Sequence, residues 1–376
     1  MDVLFRKKKI IFIYIAAILF LYTTPAPAAE ALRISAASAL LMDAGTGQVL
    51  YEHQGYKRRE PASLTKIMTA IIALEYGHRE EIVVIGKEPA SISVGQELRL
   101  ERGDRLSLEN LIKAALLYSA NDSTVAIAQH VAGSQERFIE LMNNRALILG
   151  ALDTRFANTN GYHHPNHYTT AHDLAVITRY ALSNSDFAGI VRLPRATIYW
   201  ADGKKEKPVA NTNSLVRENS YEGIMGVKTG TTIRAGNCLV AAAERNGRTL
   251  IAVILHSRNR FRDAVELLDY GFNDLPQVAV TGSGEVVGRV PVTGGLKDQV
   301  EALCPKEVNL HLSDQDLKEL TRKIIAAGPL EAPVKEGQEI GTVVFMLKGR
   351  ELTRSVLVAA GRVEKPGLLH RISSML

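Results

Sequence analysis

Residues 61–69 read PASLTKIMT, and they open an apolar run from Ile67 to Leu74 that is typical of a buried helix. Ser63 stands at the predicted helix start, where backbone N–H groups lack intrahelical partners and the positive end of the helix dipole lies. Lys66 follows three residues later on the same helical face, so its amine can reach the serine hydroxyl. The two residues could be a nucleophile and its base, or an N-cap serine beside a solvated lysine. Ser-x-x-Lys is expected by chance about once or twice in a chain of this length, so other segments are needed to distinguish the two interpretations.

The chain has 376 residues, of which 46% are hydrophobic and 23% charged, a balance typical of soluble globular proteins. This length is sufficient for two domains with separate cores. Cys238 and Cys304 are the only cysteines, and they lie in different predicted domains. They form neither a disulfide framework nor the spacing of a zinc site, so we expect no metal and no cofactor.

The N-terminus has the three parts of a secretory signal peptide. Four basic residues at 6–9 precede an apolar run from Ile10 to Tyr22, and Ala26-Pro27-Ala28 follows. The apolar run is short for a membrane span, so we expect cleavage near Ala28 and an exported protein, in the cell wall or at the outer face of the cytoplasmic membrane. Loss of residues 1–28, with these four basic residues and one acidic residue, lowers the formal net charge from +5 to about +2. That small charge removes the support for nucleic-acid binding.

The order of predicted elements indicates an α/β (α+β) fold in which an antiparallel sheet packs against a helical cluster. A turn-rich segment at 43–47 predicts a β-hairpin near the start of the mature chain. Apolar periodicity then predicts helices from Ser107 onward and over 124–131, 138–149 and 171–182. Strands are predicted over 224–229, 237–244 and 248–256, the last two joined by the type I′ turn signal Asn246-Gly247, before a helix over 261–272.

We expect this first domain to cover residues 29–275. Beyond it, alternating valines with frequent Gly and Pro, and strand patterns at 340–347 and 352–359, predict a small, mainly β C-terminal domain over 276–362. A short helix is predicted there over 314–326. In the tail, residues 363–376, the apolar residues share one helical face, so the tail could be an amphipathic membrane-surface helix or a frayed terminus.

Two more motifs follow Ser63-Leu64-Thr65-Lys66 along the chain. Ser119-Ala120-Asn121 lies between two predicted helices, and Lys228-Thr229-Gly230 ends a predicted strand. Ser-x-x-Lys, a Ser-x-Asn motif and Lys-Thr-Gly, in this order, form the joint signature of penicillin-binding proteins and class A β-lactamases. The chain therefore resembles the serine penicillin-binding proteins, and more closely the low-molecular-mass D-alanyl-D-alanine carboxypeptidases of the penicillin-binding protein 5 type. Residues 61–69, 168–175 and 226–230 carry the resemblance, which covers about residues 36–275 well and the appended β domain more loosely.

This resemblance implies a carboxypeptidase that removes the terminal D-alanine from peptidoglycan stem peptides ending in D-Ala-D-Ala. Ser63 would form an acyl-enzyme, and β-lactam antibiotics would acylate the same serine. Lys66 would be the base, which requires a neutral amine; burial and nearby positive charge favour that form. Ser119 would relay a proton to the leaving amine.

The resemblance also assigns residues that bind the substrate. Asn121 would hydrogen-bond the peptide backbone, and Lys228 and Thr229 would bind the terminal carboxylate. The oxyanion hole maps to the backbone N–H groups of Ser63 and Thr231. A family arginine near the carboxylate is matched to Arg258.

Two alternative functions use the same motifs. A class A β-lactamase needs a Glu-x-x-x-Asn loop, and Glu140 and Asn144 have this spacing, although they fall inside a predicted helix. An inactive wall-binding protein would carry a damaged motif, and all three motifs are intact. The histidines between His163 and His172 match no standard zinc spacing, so they favour a polar loop over a metal site.

Overall fold

The computed structural model describes residues 32–367. The predicted signal peptide and residues 368–376 of the predicted tail lie outside this range. Within it, no helix is both long enough and apolar enough to cross a membrane.

The N-terminal part of the described chain contains a five-stranded antiparallel sheet and a cluster of helices, which confirms the predicted fold class. In chain order its elements are β1 (Ser38–Asp43), β2 (Val49–His53), α1 (Lys66–Tyr76), β3 (Ile82–Val84), β4 (Arg105–Ser107), α2 (Leu108–Lys113), α3 (Asn121–Ala132), α4 (Gln135–Ile148), α5 (Ala171–Leu182), α6 (Ser185–Val191), β5 (Arg195–Tyr199), β6 (Glu206–Ala210), α7 (Ser214–Arg217), β7 (Ile224–Thr232), β8 (Gly236–Arg245), β9 (Arg248–Ser257) and α8 (Arg260–Asp269).

The strand order of this sheet is β2-β1-β9-β8-β7, so β7 is an edge strand. Every residue from Leu250 to Leu255 in β9 is buried. Because side chains alternate across a strand, both faces of the sheet are covered. Helix α8 packs on β8 and β9, and α5 packs on β9 and β1. At this edge of the sheet, β7 contacts residues 62–65 and helices α6 and α7.

Local signals account for most of these elements. Asn246 and Gly247 have positive φ angles of 51° and 77°, as the type I′ hairpin turn requires. The Ser107 side chain accepts a hydrogen bond from the Asn110 N–H and begins α2, as its sequence predicts. The short hairpin of β5 and β6 was not predicted from the sequence.

The C-terminal part is mainly β, as predicted, with its own apolar core. Its elements are β10 (Gln277–Thr281), β11 (Glu285–Thr293), β12 (Gln299–Cys304), β13 (Val308–His311), α9 (Asp314–Glu319), β14 (Thr321–Ala326), β15 (Leu330–Glu331), β16 (Glu339–Leu347) and β17 (Arg350–Ala359). The helix predicted over 314–326 is wrong in its second half. Ser313 caps only the short α9, Leu320 is extended, and β14 then pairs with β16.

Polar contacts join the two parts. Gln48 and the backbone of His311 form two reciprocal hydrogen bonds of 2.8 and 3.0 Å, and Arg350 forms a 2.6 Å ion pair with Glu52. Cys238 and Cys304 are both buried free thiols, one in each part.

Candidate active site

Ser63 lies in a 3₁₀ turn, Ala62–Thr65, that runs directly into α1. Its side chain makes no capping hydrogen bond at the helix start, and Lys66 is fully buried. Both facts contradict the interpretation of the pair as an N-cap serine with a solvated lysine. The 3₁₀ turn leads into the helix so that the Lys66 side chain returns past Ser63, and Nζ lies 2.8 Å from Oγ.

The Lys66 amine has three further polar neighbours. Its Nζ lies 2.8 Å from Asn121 Oδ1, 3.0 Å from the Asn160 carbonyl oxygen and 3.4 Å from Ser119 Oγ. The Asn121 amide is oriented by its nitrogen, which donates to the Val94 carbonyl at 2.7 Å, so its oxygen faces the lysine. Ser119 and Asn121, 53 and 55 residues from Lys66 in sequence, therefore meet at its amine.

Burial lowers the pKa of Lys66 well below its usual range, and the nearby charge of Lys228 lowers it further, while Asp122 acts in the opposite direction. Burial also lowers the pKa of Lys228 to about 7, with a smaller contribution from Arg260. Desolvation and a like charge both disfavour an ammonium. The environment thus favours the neutral form of the Lys66 amine, which is the form that a lysine base needs.

Ser119 follows a π-helical turn, Ala114–Tyr118, and has a left-handed conformation with φ of 69°. Such a backbone is uncommon for residues other than glycine and is found often at functional sites. It ends the turn so that the Ser119 hydroxyl and the Asn121 side chain at the start of α3 both reach Lys66. The sequence motif Ser119-Ala120-Asn121 therefore lies at the site, as predicted.

The edge strand β7 forms the opposite side of the site. Thr229 is buried and donates to Thr212 Oγ1 at 2.7 Å, whereas Thr231 is exposed. The Lys228 Nζ is fully buried and donates to the Thr229 carbonyl at 2.9 Å. Its charge therefore acts on the site from within the protein and not from the cavity surface.

A cavity of about 320 Å³ lies between this strand and the helical cluster. Its lining includes Ser63, Ser119, Asn121, Thr229 and Thr231, five of the eight residues predicted from the sequence. Lys66 and Lys228 are buried behind this lining.

Arg258 does not line the cavity and is exposed to solvent. Instead the lining includes Arg260, whose Nη1 donates to the Gly230 carbonyl at 3.0 Å and to Thr231 Oγ1 at 2.9 Å. The reason is local geometry, because β9 ends at Ser257 and the chain turns into α8, whose first residue points back to β7. The arginine in the cavity lining is therefore Arg260 and not Arg258.

The segment 94–100, read from the sequence only as loops and small strands, forms another wall of the cavity. Gly95 and Gln96 line it, and the Gln96 carbonyl accepts from the Asn121 N–H at 2.8 Å. Asp122, fully buried, accepts from the backbone N–H groups of Leu98 and Leu100, both at 3.1 Å. The residue after Ser-Ala-Asn thus ties this wall to α3, a role that no local sequence signal indicates.

The residues suggested by the β-lactamase alternative lie elsewhere. Glu140 and Asn144 are exposed residues within α4, and neither lines the cavity. The helix predicted over this segment is confirmed. Within the part of the chain that the structure describes, the cavity lining contains no aspartate or glutamate.

The arrangement can activate a serine hydroxyl. A neutral amine has two N–H donors and one lone pair. Asn121 Oδ1 and the Asn160 carbonyl can only accept, so they occupy both N–H groups and leave the lone pair for the Ser63 hydroxyl proton. The cavity wall therefore carries a nucleophile, Ser63, and a guanidinium, that of Arg260 beside β7, with the desolvated amine of Lys66 buried behind it.

Two protein-family models match the chain, one in its N-terminal part and one in its C-terminal part. The family model described as D-alanyl-D-alanine carboxypeptidase matches residues 24–259. A second model, described as penicillin-binding protein 5, C-terminal domain, matches residues 277–365.

Similar proteins and structures agree with these models. D-alanyl-D-alanine carboxypeptidase DacC of Escherichia coli is 31% identical over 375 residues, covering 95% of this chain and 92% of that protein. DacF of Bacillus subtilis is 29% identical, covering 89% and 87%. The crystal structure of penicillin-binding protein 5 from Haemophilus influenzae has a TM-score of 0.70 and 27% identity, and covers 89% of this chain and 98% of that one.

Proposed function

The chain belongs to the D-alanyl-D-alanine carboxypeptidase family, and we propose that Ser63 is its nucleophile and Lys66 its general base. The reaction is the serine-type removal of the terminal D-alanine from peptidoglycan stem peptides, and β-lactam antibiotics bind at the same site. The assignment of residues to steps rests on the contacts around Lys66.

In the acylation step, Ser63 Oγ attacks the carbonyl carbon between the two D-alanines while its proton passes to Lys66 Nζ. The 2.8 Å separation of these atoms supports a direct transfer. The negative charge that develops on the carbonyl oxygen is stabilised by the backbone N–H groups of Ser63 and Thr231. The C–N bond then breaks and leaves an ester on Ser63.

The leaving D-alanine needs a proton on its amine. Ser119 Oγ lies 3.4 Å from Lys66 Nζ and on the cavity wall, so it can pass the proton taken up by Lys66 to the departing nitrogen. Lys66 is then neutral again and can take a proton from the water that hydrolyses the ester. One base thus serves both half-reactions.

Recognition of the terminal carboxylate is assigned to the β7 side of the cavity. Arg260 presents its guanidinium there, next to Thr229 and Thr231, and it takes the place first given to Arg258. Buried Lys228 adds positive charge behind the strand. The Asn121 amide nitrogen donates to Val94 and Tyr162, and its oxygen accepts from Lys66 with one of its two lone pairs. We therefore assign Asn121 to holding the base in addition to a hydrogen bond with the peptide backbone.

The observation that carries the proposal is the buried amine of Lys66 within hydrogen-bond distance of Ser63. The test is intact-mass spectrometry after incubation with benzylpenicillin, followed by peptide mapping. We expect a stable adduct on Ser63 in the wild-type protein and none in Ser63→Ala. Ser220→Ala, which changes an exposed serine away from the cavity, is the matched control and should acylate normally.

Release of D-alanine from a D-Ala-D-Ala peptide should follow the same pattern among these three proteins. Activity of Ser63→Ala equal to that of wild type would refute the serine mechanism. An adduct that is lost within seconds would indicate a β-lactamase instead.

Domain organisation, export and membrane contact are proposed from the sequence. We assign residues 29–275 to the catalytic domain, 276–362 to the β-rich domain, and 1–28 to a signal peptide supported by its basic, apolar and small-residue segments. The apolar face predicted for residues 363–376 supports contact with a membrane surface. N-terminal sequencing of the mature protein, which we expect to begin near Ala29, tests export. Fractionation of a variant truncated after residue 362 tests membrane contact.

A further inference from the structure

His167 is the one buried histidine of the segment 163–172. It is 2% exposed, and its ring contacts two backbone segments that meet at Ser63. Nε2 lies 2.8 Å from Thr65 Oγ1, in the middle of the Ser-x-x-Lys motif. Nδ1 accepts a hydrogen bond from the Ala157 N–H at 3.0 Å.

These contacts fix the direction of the hydrogen bonds. The Ala157 N–H can only donate, so Nδ1 has the lone pair and Nε2 has the proton in the neutral ring. Nε2 therefore donates to Thr65 Oγ1, whose own proton goes to the Ala62 carbonyl at 2.9 Å. Burial, with smaller effects from His164 and His163, lowers the pKa of His167 to about 4, so the ring is neutral near pH 7.

The Ala62 carbonyl belongs to the same peptide unit as the Ser63 N–H. A trans peptide is planar, with its C=O and N–H pointing in opposite directions. A hydrogen bond that holds the Ala62 oxygen on the Thr65 side therefore directs the Ser63 N–H to the opposite side. Within residues 32–367 this N–H donates to no backbone or side-chain acceptor, as expected for a group reserved for the substrate oxyanion.

The peptide unit needs such support because its conformation is strained. Ala62 has a φ of 49°, a left-handed conformation that is costly for a residue with a Cβ by about 1–3 kcal/mol. The segment held by His167 Nδ1 leads to Gly161, which approaches so closely that a Cβ there would lie 1.8 Å from the Ala62 oxygen. Both ring nitrogens of His167 thus act on the same carbonyl, one through Thr65 and one through residues 157–161.

We propose that His167 is a positioning residue that, through Thr65 and the Ala62 carbonyl, aims the Ser63 backbone N–H at the substrate oxyanion. This inference deepens the proposed function and rests on Ser63 being the nucleophile. His167 touches neither the substrate nor Lys66, so its effect is on the rate of acylation and not on the ionisation of the base.

The test uses two pairs of matched variants. Thr65→Val removes the hydroxyl and keeps the side-chain shape, whereas Thr65→Ser keeps the hydroxyl. His167→Asn can keep an acceptor near the position of Nδ1 but cannot reach Thr65, whereas His167→Gln can place a donor near the position of Nε2. Acylation by a chromogenic β-lactam, kcat and KM for a D-Ala-D-Ala peptide, and Tm are measured for each.

We expect Thr65→Val and His167→Asn to lower the acylation rate constant and kcat by about 10- to 100-fold, because one oxyanion donor is misaimed. KM should change by less than about threefold. The pH dependence of the acylation rate constant should keep its shape and reach a lower plateau value. Thr65→Ser and His167→Gln should recover most of the rate. In the double variant Thr65→Val/His167→Asn, the losses should not multiply, because both changes break one chain.

Wild-type rates in Thr65→Val and His167→Asn, with only Tm lowered, would overturn the proposal, and so would multiplying losses in the double variant. Should either histidine variant fail to fold, the Thr65 pair alone decides by the same rate criterion. Failure of the proposed function has a different signature, which is acylation that persists in Ser63→Ala.

Discussion

Gly230 lies so close to Ser63 that a Cβ on Gly230 would be 3.0 Å from the Ser63 backbone nitrogen. The same Cβ would lie 3.1 Å from the Pro61 carbonyl oxygen, which is also backbone and cannot rotate away. The glycine of Lys-Thr-Gly therefore allows β7 to pack directly against the turn that carries the nucleophile. The absence of a side chain at Gly230 thus brings two backbone segments of the protein together.

Replacement of Gly230 by alanine should separate β7 from the Ser63 turn. Because one neighbour of the added methyl group is the proposed oxyanion donor itself, we expect at least a 100-fold loss of acylation rate and a destabilisation of about 1–3 kcal/mol. Acylation kinetics and chemical denaturation measure the two effects. The control is Gly189→Ala in α6, where the added methyl group meets open space and should be neutral or slightly stabilising.

Lys228 should make stability depend on pH in a defined direction. Its folded-state pKa is about 7 and its ordinary value is 10.5, so the folded protein binds fewer protons than the unfolded chain between these values. Stability therefore rises with pH across this window, and the penalty for burying the ammonium is fully present below about pH 7. We expect Lys228→Met, although inactive, to be more stable than wild type at pH 6 and to lose this advantage toward pH 10.

Thermal unfolding of the two proteins at both pH values tests this expectation. A difference in Tm that is the same at pH 6 and pH 10 would contradict it.

Asp122 should be essential to the wall of the cavity formed by residues 94–100. The two carboxylate oxygens of Asp122 accept from the N–H groups of Leu98 and Leu100. The amide in Asp122→Asn has only one acceptor oxygen, so one of these hydrogen bonds is lost. We expect a destabilisation of about 2–4 kcal/mol and faster hydrogen exchange in this segment. Removal of the negative charge should also lower the pKa of Lys66 further and move the acidic limb of the acylation profile to lower pH.

A shift of the acidic limb of the acylation profile to higher pH would contradict the predicted effect of Asp122 on the pKa of Lys66. Unchanged hydrogen exchange in residues 94–100 would contradict its role in holding this wall. Asp153→Asn, at an exposed ion pair with Arg58, is the matched control and should change stability by less than about 1 kcal/mol.

Arg260 and Arg258 form a natural pair for testing carboxylate recognition. We expect Arg260→Leu to raise KM at least tenfold for a peptide that ends in a free carboxylate, because a guanidinium in the cavity is lost. Arg258→Leu, at an exposed position, should leave KM unchanged. Arg260 also supports the backbone of Gly230, so a C-terminally amidated peptide is measured in parallel. If acid and amide substrates are affected equally, the role of Arg260 is structural.

Local signals in the sequence were sufficient for much of the fold. The helix over 171–182, the Asn-Gly turn and the three long strands follow from periodicity and turn chemistry, which act between near neighbours. The helix predicted over 314–326 was wrong in its second half because Thr321, Ile324 and Ile325 are in a strand that pairs with β16, a later part of the chain. Pairing with a remote strand outweighs a local helical pattern.

The sequence by itself determined which residues could do the chemistry, since Ser63 and Lys66 are three residues apart and the other two motifs have fixed order and types. Only the tertiary structure decided how they act. It buried Lys66 and Lys228, turned Asn121 toward the amine, placed Arg260 and not Arg258 in the cavity lining, and brought His167 to Thr65. The physical reason is that desolvation, pKa and side-chain convergence depend on every segment packed around a group. These segments are far apart along the chain: Asn121 is 55 residues from Lys66, and His167 is 102 residues from Thr65.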